Sequence, residues 1–218
     1  MLKNHIMALS VALAASCAAG SALAHPHVFV EANVEMLRDD QGSVTEIRHV
    51  WRFDEMFSST VLLDFDANGD GKLDVGELDE VSKTVTDSIG EYDFYTAIRY
   101  DTLKQDFIPP EKIIVDYADG QILMLFALKM NKPLPVAGHS LRVAVSDPTY
   151  FVAVELADES AIQVAGKDAA KCKAGIQRPD FDKLYAQNSQ TLTEQFFNNP
   201  NNAILGDEWL TWVTVECP

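Results

Sequence analysis

The stretch that decides the fold lies near the amino terminus and reads HVFVEANVEML (His27–Leu37), RDDQGS (38–43) and VTEIRHVWRF (Val44–Phe53). Apolar and polar residues alternate along both arms, which is the period of a half-buried β-strand. The polar segment between the arms is typical of a turn. Pairing the two apolar faces predicts an antiparallel hairpin in which Val28 lies opposite Phe53 and Val30 lies opposite Trp51.

Helical spacing replaces this alternation directly after the hairpin. Apolar residues recur every three or four positions from Glu55 to Phe65 and again from Leu78 to Ile89, which predicts two helices. Further on, Asp119-Gly120 indicates a two-residue hairpin turn. The other predicted elements are strands at 112–118, 121–130, 139–145, 150–156 and 209–217 and a helix at about 180–197.

The twelve residues between the first two helices, DANGDGKLDVGE, match an EF-hand calcium loop. Calcium takes six to eight hard oxygen ligands, and an EF-hand supplies them from loop positions 1, 3, 5, 7, 9 and 12. The predicted ligands at these positions are Asp66, Asn68, Asp70, the carbonyl of Lys72, Asp74 and Glu77. Gly71 at position 6 permits the sharp turn. The alternative is an acidic, solvated turn without metal.

These elements favour an α+β fold: a mainly antiparallel sheet with an inserted EF-hand helix-loop-helix at about 55–90 and a C-terminal helix. Strands at both ends of the chain indicate a single domain over residues 25–218. A second calcium loop is not visible. A lone site outside the cytoplasm predicts weak binding, with a Kd on the order of 10⁻⁵ to 10⁻³ M.

The first 24 residues predict a secretory signal peptide. Lys3 precedes an apolar run that ends in Ala22-Leu23-Ala24, the pattern of a signal-peptidase site, so we expect cleavage after Ala24. Lipidation at Cys17 is the alternative, although the preceding residues fit that signal poorly. No other apolar run approaches membrane-spanning length, so we expect the mature protein to have no transmembrane segment.

The charge of the chain limits which classes of partner it can bind, and its cysteines indicate a disulfide. The chain has 17 basic and 33 acidic residues, a net charge of −16, and loss of Lys3 with the signal peptide makes it −17. Such a chain repels nucleic acid and attracts cations. Cleavage also removes Cys17, and we expect the remaining Cys172 and Cys217 to form one disulfide in an oxidising compartment. Two free thiols are the alternative.

The histidines offer a second candidate metal site. Cleavage after Ala24 would expose the α-amine and the imidazole of His25, and His27 lies two residues on. Pro26 has no backbone N–H, which blocks the square-planar amino-terminal copper mode. The predicted register places His27 opposite Asp54. We therefore predict a site of His25, His27 and Asp54 for Zn²⁺, Ni²⁺, Co²⁺ or Cu, against the alternative of an exposed terminus with no ligand role.

The other histidines suggest structural roles. His49 lies on the apolar face of its strand, which predicts a hydrogen-bonded core histidine, and His139 follows Gly138 where a strand begins. The sequence shows no nucleophile elbow, phosphate loop or paired Cys and His, so we predict no catalytic residues and no enzyme. A copper oxidase that uses His25 is the enzyme alternative.

The features together resemble a bacterial periplasmic family of unknown function, labelled the periplasmic component of an uncharacterised ABC-type transport system. The matching segments are HPHVFV (25–30), WRFDEMFS (51–58), the loop Asp66–Glu77 and SDPTYF (146–151). Members of that family are often encoded beside nickel/cobalt-type permeases. The resemblance implies a periplasmic accessory in divalent metal handling, with an inner-membrane permease as partner. The chain is too short for a two-lobed ligand clamp, and the alternative is a calcium-stabilised protein-interaction domain.

Overall fold

The computed structural model describes residues 26–189 and 206–218. In this part of the chain two mainly antiparallel sheets are accompanied by three α-helices, so the predicted α+β class is confirmed. The strands divide between two sheets, whereas one was expected. No helix in the described ranges is long and apolar enough to cross a membrane.

The helices and strands follow one another in an order close to the prediction. They are β1 (Val28–Arg38), β2 (Ser43–Phe53), α1 (Glu55–Phe65), α2 (Val75–Gly90), β3 (Thr96–Tyr100), β4 (Leu103–Lys104), β5 (Phe107–Ile108), β6 (Ile114–Ala118), β7 (Gln121–Pro135), β8 (Leu141–Val145), β9 (Val152–Glu155), β10 (Ile162–Gly166), β11 (Lys173–Gln177), α3 (Phe181–Asn188) and β12 (Trp212–Glu216). The predicted bounds of α1 are confirmed at both ends. The predicted C-terminal helix is confirmed as far as Asn188, and its part from residue 190 onward lies outside the described residues.

The larger sheet has seven strands and grows outward from the first hairpin. Its central order is β10-β1-β2-β7-β5. At one edge β9 also pairs with β1, beside β10, and at the other edge β6 also pairs with β7, beside β5. The strands β9 and β10 run parallel to β1, and the other pairs are antiparallel. The predicted Asp119-Gly120 turn joins β6 to β7, with φ of 54° and 81°. Positive φ at both central residues is what a type I′ turn requires.

The first hairpin forms as predicted, but its register was predicted wrongly by two residues. Val30, not Val28, lies opposite Phe53. A slip of two residues leaves every side chain on the same face, so the apolar pattern does not distinguish the two registers. The turn distinguishes them, because it sets which residues pair at the end of the hairpin. The Asp39 N–H donates to the Ser43 carbonyl (2.9 Å), and a β-bulge shifts the pairing at the end of β1.

The second sheet has five strands in the order β11-β12-β8-β3-β4. The predicted disulfide is confirmed: Cys172 and Cys217 are bonded, with Cα atoms 4.2 Å apart, and they flank the antiparallel pair β11 and β12. The Arg38 guanidinium of the large sheet lies 3.0 Å from the Cys172 sulfur. The Cys172–Cys217 disulfide is compatible with an exported protein, because oxidising compartments preserve disulfides.

One hydrophobic core receives side chains from both sheets. Alternate residues of β1, β2 and β7 face inward, and β8 and β12 of the second sheet contribute from the other side. Burial of such apolar surface is the main favourable term in folding, at about 25 cal/mol per Å². Deeply buried members include Val34, Met36, Ile47, Trp51, Leu128, Val143 and Val213.

Candidate metal-binding sites

The helix-loop-helix segment follows β2 directly, and Asp54 makes the junction. Its carboxylate accepts the Phe57 N–H (2.9 Å) as the N-cap of α1 and also accepts the Phe29 N–H of β1 (2.8 Å). Burial raises the pKa of Asp54, but the backbone donors together outweigh it and leave the pKa below its ordinary value of 3.8. One carboxylate thus fixes the start of the helix and the end of the hairpin.

The loop Asp66–Glu77 folds around its own side-chain oxygens. Asp66 accepts three backbone N–H groups of the loop at 2.8–3.1 Å. Asn68 and Asp70 each accept the N–H two residues further on, both at 2.9 Å. Gly71 has φ of +78°, in the left-handed region that glycine occupies without strain. The oxygens at positions 1, 3 and 5 are therefore held against the loop backbone.

Glu77, at loop position 12, is only 8% exposed and lies in the first turn of the second helix, three residues after the N-cap Asp74. Its Oε1 accepts the Ala67 N–H (2.9 Å), and its Oε2 accepts the Asp74 N–H (2.8 Å). Asp74 in turn accepts the Glu77 N–H (3.0 Å), which completes a capping box. The contact that starts α2 therefore also ties position 12 to the beginning of the loop.

Metal ligands do not converge in the described part of the chain: no group of three or more His, Cys, Asp or Glu side chains there is placed to hold a metal ion. In the loop the reason is local, since the carboxylates of Asp66, Asp70, Asp74 and Glu77 are each turned onto backbone N–H groups. Calcium would have to compete with these donors. The calcium site therefore stays a prediction.

Hydroxyl groups fasten α1 to the large sheet and α2 to the segment that leads into its edge strand β6. In α1, Ser58 is fully buried and its Oγ accepts the Ile122 N–H of β7 (2.9 Å). In α2, the Ser82 hydroxyl donates to the Ile113 carbonyl, and the Thr86 Oγ1 accepts the Ile113 N–H (3.1 Å). The loop is thus carried by two helices whose side chains are bonded to β7 and to the residue before β6.

The second predicted site lies at the start of β1. His25 is outside the described residues. The His27 N–H donates to the Phe151 carbonyl (2.9 Å), and the two rings lie 5.2 Å apart between centroids. The segments 26–30 and 146–151 that carried the family resemblance therefore meet at this corner, which we call the amino-terminal corner.

The position of Asp54 relative to this corner differs from the prediction. Asp54 lies opposite Phe29, because its N–H donates to the Phe29 carbonyl (3.0 Å) and its carboxylate accepts the Phe29 N–H. The expected pairing of His27 with Asp54 across the hairpin was wrong, since it followed from the two-residue error in register. The role of Asp54 as a metal ligand stays a prediction, but its carboxylate already accepts two N–H groups.

Sequence reasoning missed Glu155 beside this corner. The parallel strand β9 places Glu155 next to Glu31, and β2 places Arg52 on the other side of Glu31. At about 3.3 Å per residue, Glu31 lies about 13 Å along β1 from His27. The carboxylate pair is therefore separate from the imidazole. No sequence signal predicts it, because alternation does not show which distant strand pairs with β1.

The remaining histidines are a core residue and a surface residue. His49 is buried as predicted and stacks on Phe126, with centroids 4.7 Å apart, but its predicted hydrogen bond is wrong: neither ring nitrogen has a partner within the described ranges. Burial lowers the pKa of His49 to about 3, so the ring is neutral. His139 lies in the turn before β8, with its Nδ1 3.0 Å from the Asp101 carboxylate.

Comparison with known proteins gives one family and no activity. A family model described as "Protein of unknown function (DUF1007)" matches residues 10–217. An "Uncharacterized 15.5 kDa protein in trpE 3'region" of Spirochaeta aurantia is 33% identical over 91 residues, 42% of this chain and 64% of that protein. An uncharacterized protein of Haemophilus influenzae is 22% identical over 196 residues, 89% of this chain and 92% of its own length. The chain thus spans less than two thirds of the first relative and most of the second.

Proposed function

This chain belongs to the DUF1007 family of proteins of unknown function, and on that premise we propose from its own residues that it is a periplasmic calcium-binding protein. The observation that carries the proposal is the loop Asp66–Glu77: oxygen ligands in EF-hand order join two helices, one bonded to β7 and the other to the residue before β6. The ligands are consecutive in the chain, so no distant contact is needed to assemble them.

Calcium suits this loop better than the transition metals do. Four carboxylates, one amide and one backbone carbonyl are hard oxygen donors, and such a set favours Ca²⁺ over the softer transition metals. Binding would also relieve the repulsion among the acidic residues of a chain whose net charge is −16. The ion would then act as a structural clip that fixes the helix pair on the sheet.

Calorimetric titration of the mature protein with Ca²⁺ tests this proposal. We expect a single site with a Kd on the order of 10⁻⁵ to 10⁻³ M. Glu77→Gln removes the bidentate ligand and should weaken binding by about 100-fold or more, because the loss of one charged ligand costs on the order of 3 kcal/mol.

A matched control is Glu80→Gln, which removes an exposed carboxylate one turn further along α2 and should leave the affinity within about twofold. Asp70→Asn is a second loop variant, useful because Asp70 takes no part in the capping box. Equal affinity in the wild type, Glu77→Gln and Asp70→Asn proteins, or no calcium binding at all, would refute the calcium site.

The proposal includes a finer role, that of an accessory in divalent transition-metal handling beside an inner-membrane permease. Its support is the resemblance to periplasmic components encoded beside nickel/cobalt-type permeases, together with the negative charge. His27 is exposed at the amino-terminal corner and lies beside the exposed rings of Phe29 and Phe151. An exposed imidazole suits metal transfer better than a buried one, because the ion must enter and leave.

Titration with Zn²⁺, Ni²⁺, Co²⁺ and Cu²⁺ tests the finer role. The mature protein, with a native His25 amino terminus and saturated with Ca²⁺, should bind at least one of them with a micromolar or tighter Kd. His27→Ala should weaken that binding by about tenfold or more, since removal of a ligand costs at least that much. His139→Ala is the matched control. Binding of calcium alone would favour the calcium-stabilised interaction domain.

A further inference from the structure

An open cleft of about 880 Å³ lies on the outer face of the large sheet, away from both candidate metal sites. Val50 of β2 and Leu125 of β7 lie on its floor. One wall is the segment Pro109–Lys112, which connects β5 to β6, and Ile114 extends that wall. Val50, Leu125 and Ile114 are 40%, 38% and 59% exposed, so the cleft presents apolar surface to solvent.

The wall of this cleft is held in place by helix α2. Ile113 is fully buried, and both of its backbone polar groups are bonded to hydroxyl groups of one helix face: the carbonyl to Ser82 and the N–H to Thr86. These two residues are one helical turn apart, so together they satisfy Ile113 as a neighbouring strand would. At the surface, Lys112 adds an ion pair with Asp79 of the same helix, at 2.7 Å.

The first turn of the same helix contains Glu77, the last predicted calcium ligand. Glu77 would have to turn both carboxylate oxygens toward a bound ion, and these oxygens now hold the N–H groups of Ala67 and Asp74. Calcium binding would therefore change the contacts of the first turn of α2. Ser82 and Thr86 lie about 7.5 and 13.5 Å further along the helix than Glu77, at 1.5 Å per residue.

The two helices differ in what they are fastened to. Helix α1 is bonded through Ser58 to Ile122 of β7, a strand that has hydrogen-bonded neighbours on both sides. Helix α2 is bonded to Ile113, which precedes the edge strand β6. The attachment of α1 is therefore held from both sides, whereas the attachment of α2 lies at the sheet edge, where a change in the angle between the helices would meet less resistance.

From this geometry we propose that calcium in the loop controls the order of the cleft wall through the hydroxyl clamp of Ser82 and Thr86 on Ile113. The proposal rests on the proposed calcium function and adds a regulatory consequence. With calcium bound, the helix pair is fixed and the wall segment 109–113 is ordered against α2. Without calcium, the clamp opens more often and the wall moves.

Amide hydrogen exchange of the mature protein tests this coupling. Calcium saturation should slow exchange of the Ile113 amide by about fivefold or more, since that amide is protected by the Thr86 hydroxyl. Calcium binding is measured by calorimetry on the same samples. The double variant Ser82→Ala/Thr86→Val should bind calcium with a Kd within about twofold of the wild-type value but lose the calcium-dependent change at Ile113.

Controls separate the clamp from general effects on the helix. Thr84→Val alters an exposed residue of the same helix and should keep the full response, and Thr86→Ser keeps the hydroxyl and should also keep it. If the double variant does not fold, Thr86→Val alone serves in its place. Calcium binding by the wild type without a change at Ile113, or an unchanged response in the clamp variants, would overturn this inference and leave the calcium site intact. Absence of calcium binding would instead refute the proposed function.

Discussion

The two candidate cation sites differ in how the chain brings their ligands together. In the helix pair, all six predicted ligands lie within the twelve residues Asp66–Glu77, and the loop hydrogen bonds span no more than ten positions. At the amino-terminal corner, His27 contacts Phe151, more than a hundred positions away, and Asp54 contacts Phe29 across the hairpin. One site is local in sequence, and the other depends on tertiary packing.

This difference explains why the error in the predicted register affects only one of the two candidate sites. A local loop needs only the right residues at the right spacing, and a change of sheet register does not alter it. The amino-terminal corner changes with the register, and a two-residue slip was enough to move Asp54 from His27 to Phe29. The two sites are nevertheless connected, because Asp54 caps α1 and also holds β1.

The largest effect on stability is expected where the helix-loop-helix segment is attached to the large sheet. Ser58→Ala removes the acceptor of the buried Ile122 N–H and should lower the free energy of unfolding by about 1–3 kcal/mol. Calcium affinity should stay within about twofold if the loop is a local unit. Chemical denaturation and calorimetry measure the two quantities.

The neighbouring Ser59 is the matched control for that prediction. It is exposed, and its hydroxyl donates only to the Glu55 carbonyl of its own helix (2.7 Å). Ser59→Ala should change the unfolding free energy by less than about 0.5 kcal/mol. A large loss of calcium affinity in Ser58→Ala would show that the loop depends on the sheet, and the distinction between the two sites would fail.

A smaller effect on stability is expected at Asp54, which contacts both the helix pair and the amino-terminal corner. Asp54→Ala removes an N-cap and the contact with the Phe29 N–H, and should lower the free energy of unfolding by about 1–2 kcal/mol at pH 7. The pKa of Asp54 is lower in the folded protein than its ordinary value of 3.8. The stabilisation is therefore present above that ordinary value and is lost as the pH falls through the folded pKa.

Denaturation curves at pH 7 and near pH 3 measure this dependence. The gap between wild type and Asp54→Ala should narrow at the lower pH. Asp54→Asn keeps a capping oxygen without the charge, so it should cost less than Asp54→Ala at pH 7. A gap of equal size at both pH values would show that the carboxylate charge contributes nothing at this junction.

The sequence by itself determined the local features of this protein. Alternation defined β1 and β2, helical spacing defined α1 at both ends, and Asp119-Gly120 defined a hairpin turn. The order of oxygen donors in the loop and the pairing of the two cysteines also followed from the sequence. The local features depend on contacts between near neighbours, which residue type decides, and the cysteine pairing followed from the expected loss of Cys17 with the signal peptide.

Only the tertiary structure decided how distant segments meet. The hairpin register, the parallel pairing of β9 and β10 with β1, and the second sheet all depend on which strands pack together. Five strands, β3, β4, β5, β10 and β11, were not predicted, and β4 and β5 have only two residues each, too few to show any alternation. The hydroxyl clamp of α2 on Ile113 was not predicted either. Serine and threonine in a helix are usually expected to face solvent, and only the tertiary structure shows that the segment before β6 packs against them.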